Sequence, residues 1–218
     1  MRARLLKKEF RLCLHPNTPL MILLAALVIV PNYPYGVSFF FLTLGFFFIS
    51  LGGRENHDVT FSMTLPVSRK DIVVARVSFF VILEMIQLVL VGLFTLLHKV
   101  LLHDAANAAG MDAGVVLIGN GFLYYTLFHL LFFPSYYKNV DKVGVSFVKS
   151  ASAMFVLVIL EIVATYAVPF VRDVLDTTDP AHMSEKLIYV AVCAVVYVLG
   201  LLLAVRISQR RFEKQDIR

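Results

Sequence analysis

Apolar residues gather along this chain into long runs, which charged or Pro/Gly-rich segments separate. Reading for such runs predicts six helical spans, at about Thr18 to Tyr33, Val37 to Leu51, Val77 to His98, Gly114 to Phe133, Ala151 to Val171 and Leu187 to Val205. A bilayer core of about 30 Å needs about 20 such residues in a helix. The first two runs are short, since some 15 residues at a rise of about 1.5 Å reach only about 22 Å. They are expected to extend past these limits or to lie where the bilayer is thinned. Pro31, Asn32, Tyr33, Pro34, Tyr35 and Gly36 form a turn between them, so the pair reads as a helical hairpin. A signal peptide with Leu20 to Val30 as its apolar stretch is the other reading, but the leader is long and no small-x-small cleavage site follows. The expected fold is an all-α polytopic membrane protein: one transmembrane domain of six helices, with an N-terminal interfacial helix and a tail from Arg206 to Arg218.

Composition agrees with the pattern. Of 218 residues, 59% are apolar and only 16% charged, with a mean hydropathy of +0.81, which excludes a disordered chain and an ordinary soluble domain. Six spans occupy about 120 positions and leave no room for a soluble catalytic or ATP-binding domain. Cys13 and Cys193 give no sign of a disulfide. All but Lys99, Arg172 and Lys186 of the 20 Lys and Arg fall in the N-terminus, the segments after spans two and four, and the C-terminus. The positive-inside rule therefore predicts that both termini are cytoplasmic. The net charge of +5 then reflects loops facing anionic membrane lipids, and no nucleic acid is expected as a partner.

Three cytoplasmic features stand out. In the first 14 residues Ala3, Leu6, Phe10 and Cys13 share one helical face and Arg4, Lys8 and Arg11 the other, which suits a helix lying in the interface. It is either a basic leader that sets topology or an elbow that transmits movement into the first span. The longest loop runs from Gly52 to Arg76. Gly52 and Gly53 are expected to end span two, with Asn56 or Asp58 capping a short helix through Thr64, which Pro66 stops. Ser68 then opens a second helix, with Asp71 completing a capping box and Val67 facing Ile72 as a hydrophobic staple. That helix can run through Arg76 into span three as a rigid lever. The third feature, Pro134 to Ser150, carries Tyr136 and Tyr137 at interface depth and Lys138, Lys142 and Lys149 beyond them, an aromatic and basic belt.

The stretch Leu65-Pro-Val-Ser-Arg-Lys-Asp-Ile-Val-Val-Ala-Arg76, between spans two and three of a six-span chain, resembles the permease subunits of bacterial ABC exporters of the type-2 class, in their short Firmicute form. The resemblance implies a docking helix at Glu55 to Thr64 that seats on a separate ABC ATPase subunit, with Asp58, Phe61 and Met63 on it. Leu65, Pro66, Ser68, Arg69, Lys70, Asp71 and Arg76 belong to the lever behind it, and Glu55 and Asp58 are the candidates for the acidic residue that usually precedes the Leu-Pro-x-Ser-Arg element. It also implies a second permease copy, identical or related, in the bacterial cell membrane, and a hydrophobic or amphipathic cargo such as an antimicrobial peptide, lipid or drug. The chain has no Gly-x-x-x-x-Gly-Lys-Ser/Thr loop, so it is expected to hold no cofactor and to be no enzyme itself. ATP and Mg would sit on the partner ATPase.

Within the spans, an ionisable group near a helix centre costs about 2.5 to 3.5 kcal/mol on insertion scales. Glu84 heads a stripe with Gln87, Val91, Thr95 and His98, spaced by three and four, and Glu161 and Thr165 pair at i, i+4. These faces either line a translocation path or hydrogen-bond between helices. His129 reads as a packed residue near Tyr125. His98, His103 and Asp104 lack the Cys or second His-rich element of a metal site. Gly119-Asn120-Gly121 reads as a break in span four. Two rivals remain: an intramembrane enzyme, which needs Glu84, Glu161 and His129 in one cavity, and a six-span substrate-capture subunit of an importer, which would recognise its ligand in outer loops.

Overall fold

In a bilayer every backbone N–H and C=O must find its partner within the protein, and a helix achieves this segment by segment. The computed structural model describes residues 2–102 and 107–215, and among them only helices and their connections occur. Helix α1 (Arg2–Lys8) runs on as a π turn, Glu9–Cys13. Helix α2 (Thr18–Leu23), with Pro19 in its first turn, tightens into a 3₁₀ segment, Leu24–Ile29. There follow α3 (Gly36–Glu55), α4 (Asp58–Thr64), α5 (Arg69–Leu102), α6 (Val115–Tyr136), α7 (Val143–Ala167) and α8 (Met183–Glu213), with a π turn at Val171–Leu175 before the last.

Five helices, α3 and α5 to α8, are long and apolar enough to cross a membrane. The span expected from Thr18 to Tyr33 contains only six α-helical and six 3₁₀ residues, too few for a core of about 30 Å. A sixth crossing exists only if α1 and α2, bent by 94° across their junction, count as one broken span. Three local expectations are also corrected. Helix α3 continues through Gly52 and Gly53 to Glu55. The residue before α4 is His57, in the left-handed region at φ 50°, and neither Asn56 nor Asp58 caps the helix. Helix α6 runs unbroken through Gly119-Asn120-Gly121. A Cβ on Gly121 would lie 2.6 Å from the Phe39 ring and 2.7 Å from Leu88. These glycines therefore admit neighbouring helices rather than break their own, because no water competes for the helix hydrogen bonds there.

Helix α6 forms the centre and packs most extensively on α8 and α7. Its Tyr124, Tyr125, Phe128, Phe132 and Phe133 are buried, and Phe46 of α3 stacks on Phe80 of α5 at 4.0 Å. The opposite faces of α5, α7 and α8 expose Val89, Leu93, Val156, Ile159, Leu199 and Leu202 among others, an outer surface suited to hydrocarbon.

Hydrogen bonds gather the connections at two ends. At the basic end Arg54 reaches the Asp141 carbonyl, Arg211 the Pro134 carbonyl at 2.9 Å, and Arg69 the carbonyls of Phe212 and Gln215 at 2.9 and 2.7 Å. The segment expected as a loop from Pro134 to Ser150 shrinks to residues 137–142, and Tyr136 and Tyr137 are buried against Phe132 and Phe212 rather than lying in a belt. At the acidic end Asp179 caps α6 by accepting from the Val115 N–H at 3.1 Å, and it pairs with Lys186 at 2.8 Å and Lys99 at 3.4 Å. Burial disfavours the Asp179 charge, but Lys186 and the Val115 N–H outweigh it and hold the carboxyl below its ordinary value.

Candidate functional site

The basic end carries the loop from Gly52 to Arg76. Two elements of it fold as the local chemistry dictates. Leu65 is extended, α4 stops at Thr64 before Pro66, and Ser68 opens α5: its hydroxyl accepts from the Asp71 N–H at 3.1 Å and donates to the Asp71 carboxylate at 2.7 Å. From Arg69, α5 continues without interruption for 34 residues, about 51 Å at about 1.5 Å per residue. The lever and the third span are one rigid rod.

What holds α4 to this rod is a buried ion cluster. Arg76, only 3% exposed, pairs with Glu9 at 2.5 Å and with Asp58. Lys8 pairs with Asp58 at 2.6 Å and Glu9 at 3.2 Å, and donates to the Ser62 hydroxyl at 2.7 Å. Burial works against the Asp58 charge, but Arg76 and Lys8 more than compensate and keep its carboxyl below the ordinary value. Two carboxylates and two cations thus join α1, α4 and α5. Lys8, expected on the polar face of an interfacial helix, turns inward, and so does Glu9, which is 2% exposed and which the helical-face reading passed over. Cys13 stands beside the cluster, and its thiol is pushed up to about 12, chiefly by burial. Glu9, Cys13 and Asp58 bring ligand atoms within 4.8 Å of one another, but Arg76 and Lys8 already neutralise that set, which makes it an ion-pair centre rather than a cation site.

The remaining loop residues sort by exposure. Glu55, Phe61, Pro66 and Lys70 face outward, Phe61 at 52% exposed. Met63, Leu65 and Asp71 are half-buried. Arg69 lies over the Phe212 ring at 5.5 Å while it caps the end of α8, and Lys70 pairs with Glu213 at 3.3 Å. The lever is therefore tied to the last helix as well as to the first. A cavity of about 440 Å³ opens between the π turn of α1, the end of α3 and α4.

Inside the bundle the stripe on α5 faces protein. Glu84, Gln87, Thr95 and His98 are all buried. Glu84 pairs with His129 of α6 at 2.6 Å and accepts from the Tyr197 hydroxyl of α8 at 2.6 Å. Gln87 donates to the Ser38 carbonyl at 3.0 Å and accepts from Tyr125, while His98 meets the Val28 carbonyl at 2.9 Å. The partner of His129 is thus Glu84, not Tyr125. This network links α3, α5, α6 and α8, and interhelical hydrogen bonds of this kind hold bundles together. Glu161 lies apart. It accepts from Asn120 Nδ2 at 3.1 Å and from the Tyr124 hydroxyl, on the wall of a different cavity that neither Glu84 nor His129 lines. Among the described residues, Glu84 and His129 do not share the Glu161 cavity, as the intramembrane-enzyme reading would require. Thr165 bonds back to the Glu161 carbonyl at 3.0 Å instead of pairing with its side chain. His103 and Asp104 lie outside the described residues. The sequence marks Asn120 only as part of an expected break, and nothing in it points to Tyr124, Tyr189 or Tyr197 as its neighbours or as partners of the buried carboxylates.

A search of the curated proteins and of the solved structures found no match. The family model described as ABC-2 family transporter protein matches residues 4–212, nearly the whole chain, α1 and the end of α8 included. The chain therefore belongs to the ABC-2 family of transporter proteins and is a multi-pass membrane permease component of an ABC transporter, which implies an ABC ATPase as its partner.

Proposed function

We propose that this permease exports a hydrophobic or amphipathic substrate, and that α4 is the coupling helix through which the ATPase drives it. The observation that carries the reading is the position of α4. It leaves Phe61 and Thr60 exposed while Asp58 and Ser62 hold it to the bundle through Lys8 and Arg76. Force applied to α4 passes through Asp58 and Arg76 into a 34-residue rod, through Lys8 and Glu9 into the N-terminal elbow, and through Arg69 into α8. A freely moving loop would dissipate it. The basic end, which among the described residues collects the Lys and Arg other than Lys99, Arg172 and Lys186, faces the cytoplasm on this reading, in the bacterial cell membrane, with both termini inside. Two permease copies, identical or related, enclose the path, and ATP and Mg belong to the ATPases.

The importer-capture reading does not call for a capped lever, and the enzyme reading lacks its common cavity. The coupling reading is tested by co-expressing the chain with an ATP-binding-cassette protein from the same cell and purifying on a permease tag. Replacing one exposed apolar anchor at an interface costs about 2 kcal/mol or more when it is a hot spot. Phe61→Asp should therefore reduce ATPase recovery at least about tenfold while the permease itself is recovered at wild-type yield. Undiminished recovery with both Phe61→Asp on α4 and Glu55→Lys at the adjoining end of α3 would remove this segment from the contact.

A further inference from the structure

The cavity beside Glu161 sits between α6, α7 and the π turn before α8, and measures about 240 Å³. Its wall is apolar through Met111, Leu123, Leu157, Leu160 and Leu175, and its polar groups come from Glu161, Asn120, Tyr124 and Tyr189. No lysine, arginine or histidine lines it among the described residues. Asn120 is itself oriented by the Tyr189 hydroxyl, which donates to its side-chain carbonyl at 2.6 Å, leaving the amide to face Glu161 at 3.1 Å. The carboxylate is thus positioned by two neutral donors, one on each oxygen. A carboxylate has about four acceptor sites, so about half remain for the cavity. Other buried acidic side chains have a built-in basic partner: Glu84 has His129, Glu9 and Asp58 have Arg76 and Lys8, and Asp179 has Lys186 and Lys99. Glu161 has none, and a carboxylate in an apolar wall is costly unless a counter-charge meets it.

We propose that this cavity is a binding site for an organic cation with an apolar body. The ammonium would face Glu161 and the faces of Tyr124 and Tyr189, which attract cations through their ring quadrupoles. The apolar body would lie along Leu123 and Leu157. Leu160, at the cavity edge, is 56% exposed on the outer face of α7, so the ligand enters sideways from the hydrocarbon. The inference rests on the permease reading for its role as a cargo site, and names the cargo class as cationic amphipaths.

The test is equilibrium binding of benzyltrimethylammonium to the purified full chain in neutral-lipid nanodiscs, against neopentylbenzene, its uncharged carbon isostere. The wild-type chain should prefer the cation by at least about tenfold. Glu161→Gln, which keeps the shape and one carbonyl acceptor but removes the charge, should reduce the preference to within about twofold. Ala164→Phe, which fills the cavity and leaves the carboxylate in place, should weaken both ligands. Asp173→Asn, at an exposed acidic position paired with Arg172, should change neither. Absence of a cation preference in the wild type, or its survival in Glu161→Gln, would overturn the proposal. No ATPase enters the measurement, so a failure here leaves the coupling reading standing, and a failure of Phe61→Asp to release the ATPase leaves this site standing.

Discussion

At the scale of single residues, the cluster of Glu9, Asp58, Lys8 and Arg76 decides whether the first helix stays attached. Removing one partner of a buried ion pair costs about 3 to 5 kcal/mol, because the other charge is left stranded. Arg76→Ala should destabilise by about that amount, read as a lower unfolding temperature in detergent together with faster proteolysis at α1. Asp58 adds a pH dependence. Its folded-state value lies below the unfolded one of about 4. The stabilisation is therefore complete above about pH 4 and disappears as the pH falls through the folded value. Asp176, at the acidic end, behaves in the opposite sense. Burial raises it to about 6, against the hydrogen bond it accepts from the Asp112 N–H at 2.6 Å. Its contribution is full below about pH 4 and lost as the pH rises through about 6. Asp176→Asn should then stabilise the chain above pH 6 by about 1 kcal/mol, a figure reduced for partial exposure, and have little effect below pH 4, as thermal unfolding across that range would show. None of these partners was legible beforehand. Sequence spacing places Lys8 and Glu9 on a helix, but only the fold says that Arg76, 67 positions later, stands opposite.

At the scale of elements, the sequence was most informative where local chemistry is sufficient. Ser68 and Asp71 announce the start of α5, and Pro66 the end of α4, because capping and the missing proline N–H act over a few residues. The glycines misled for the complementary reason: in water Gly-Asn-Gly favours a turn, whereas in a bundle within lipid the same residues serve close approach. A pair of substitutions separates the two roles. Gly121→Ala puts a methyl group 2.6 Å from Phe39 and should destabilise by about 1 to 3 kcal/mol through overpacking. Gly52→Ala meets nothing within 4 Å and, on helical backbone, should be neutral or stabilising by up to about 1 kcal/mol. Unfolding temperatures of both variants in one detergent provide the comparison. Of the two short runs in the first hairpin, the second extends past its expected limits as α3, Gly36–Glu55, whereas the first tightens into a 3₁₀ segment and ends at Ile29, just before Pro31.

At the scale of the whole molecule, hydropathy and charge anticipated an all-α membrane protein with a basic and an acidic end, since both are sums over many residues. They left open which polar groups meet inside. The structure separates two carboxylates that looked alike along the chain: Glu84 closes a network across four helices, and Glu161 faces a cavity. The central claim is that a separate ATPase acts on this bundle through α4, and cross-linking tests it most directly. With Cys13 and Cys193 replaced by serine, a single cysteine is placed at exposed Thr60 on α4, or at exposed Ala108 at the acidic end. In membranes containing the ATPase, a reagent with one thiol-reactive and one photoreactive arm should join Thr60→Cys to the ATPase and leave Ala108→Cys unjoined. An ATPase adduct at Ala108→Cys with none at Thr60→Cys would contradict the account.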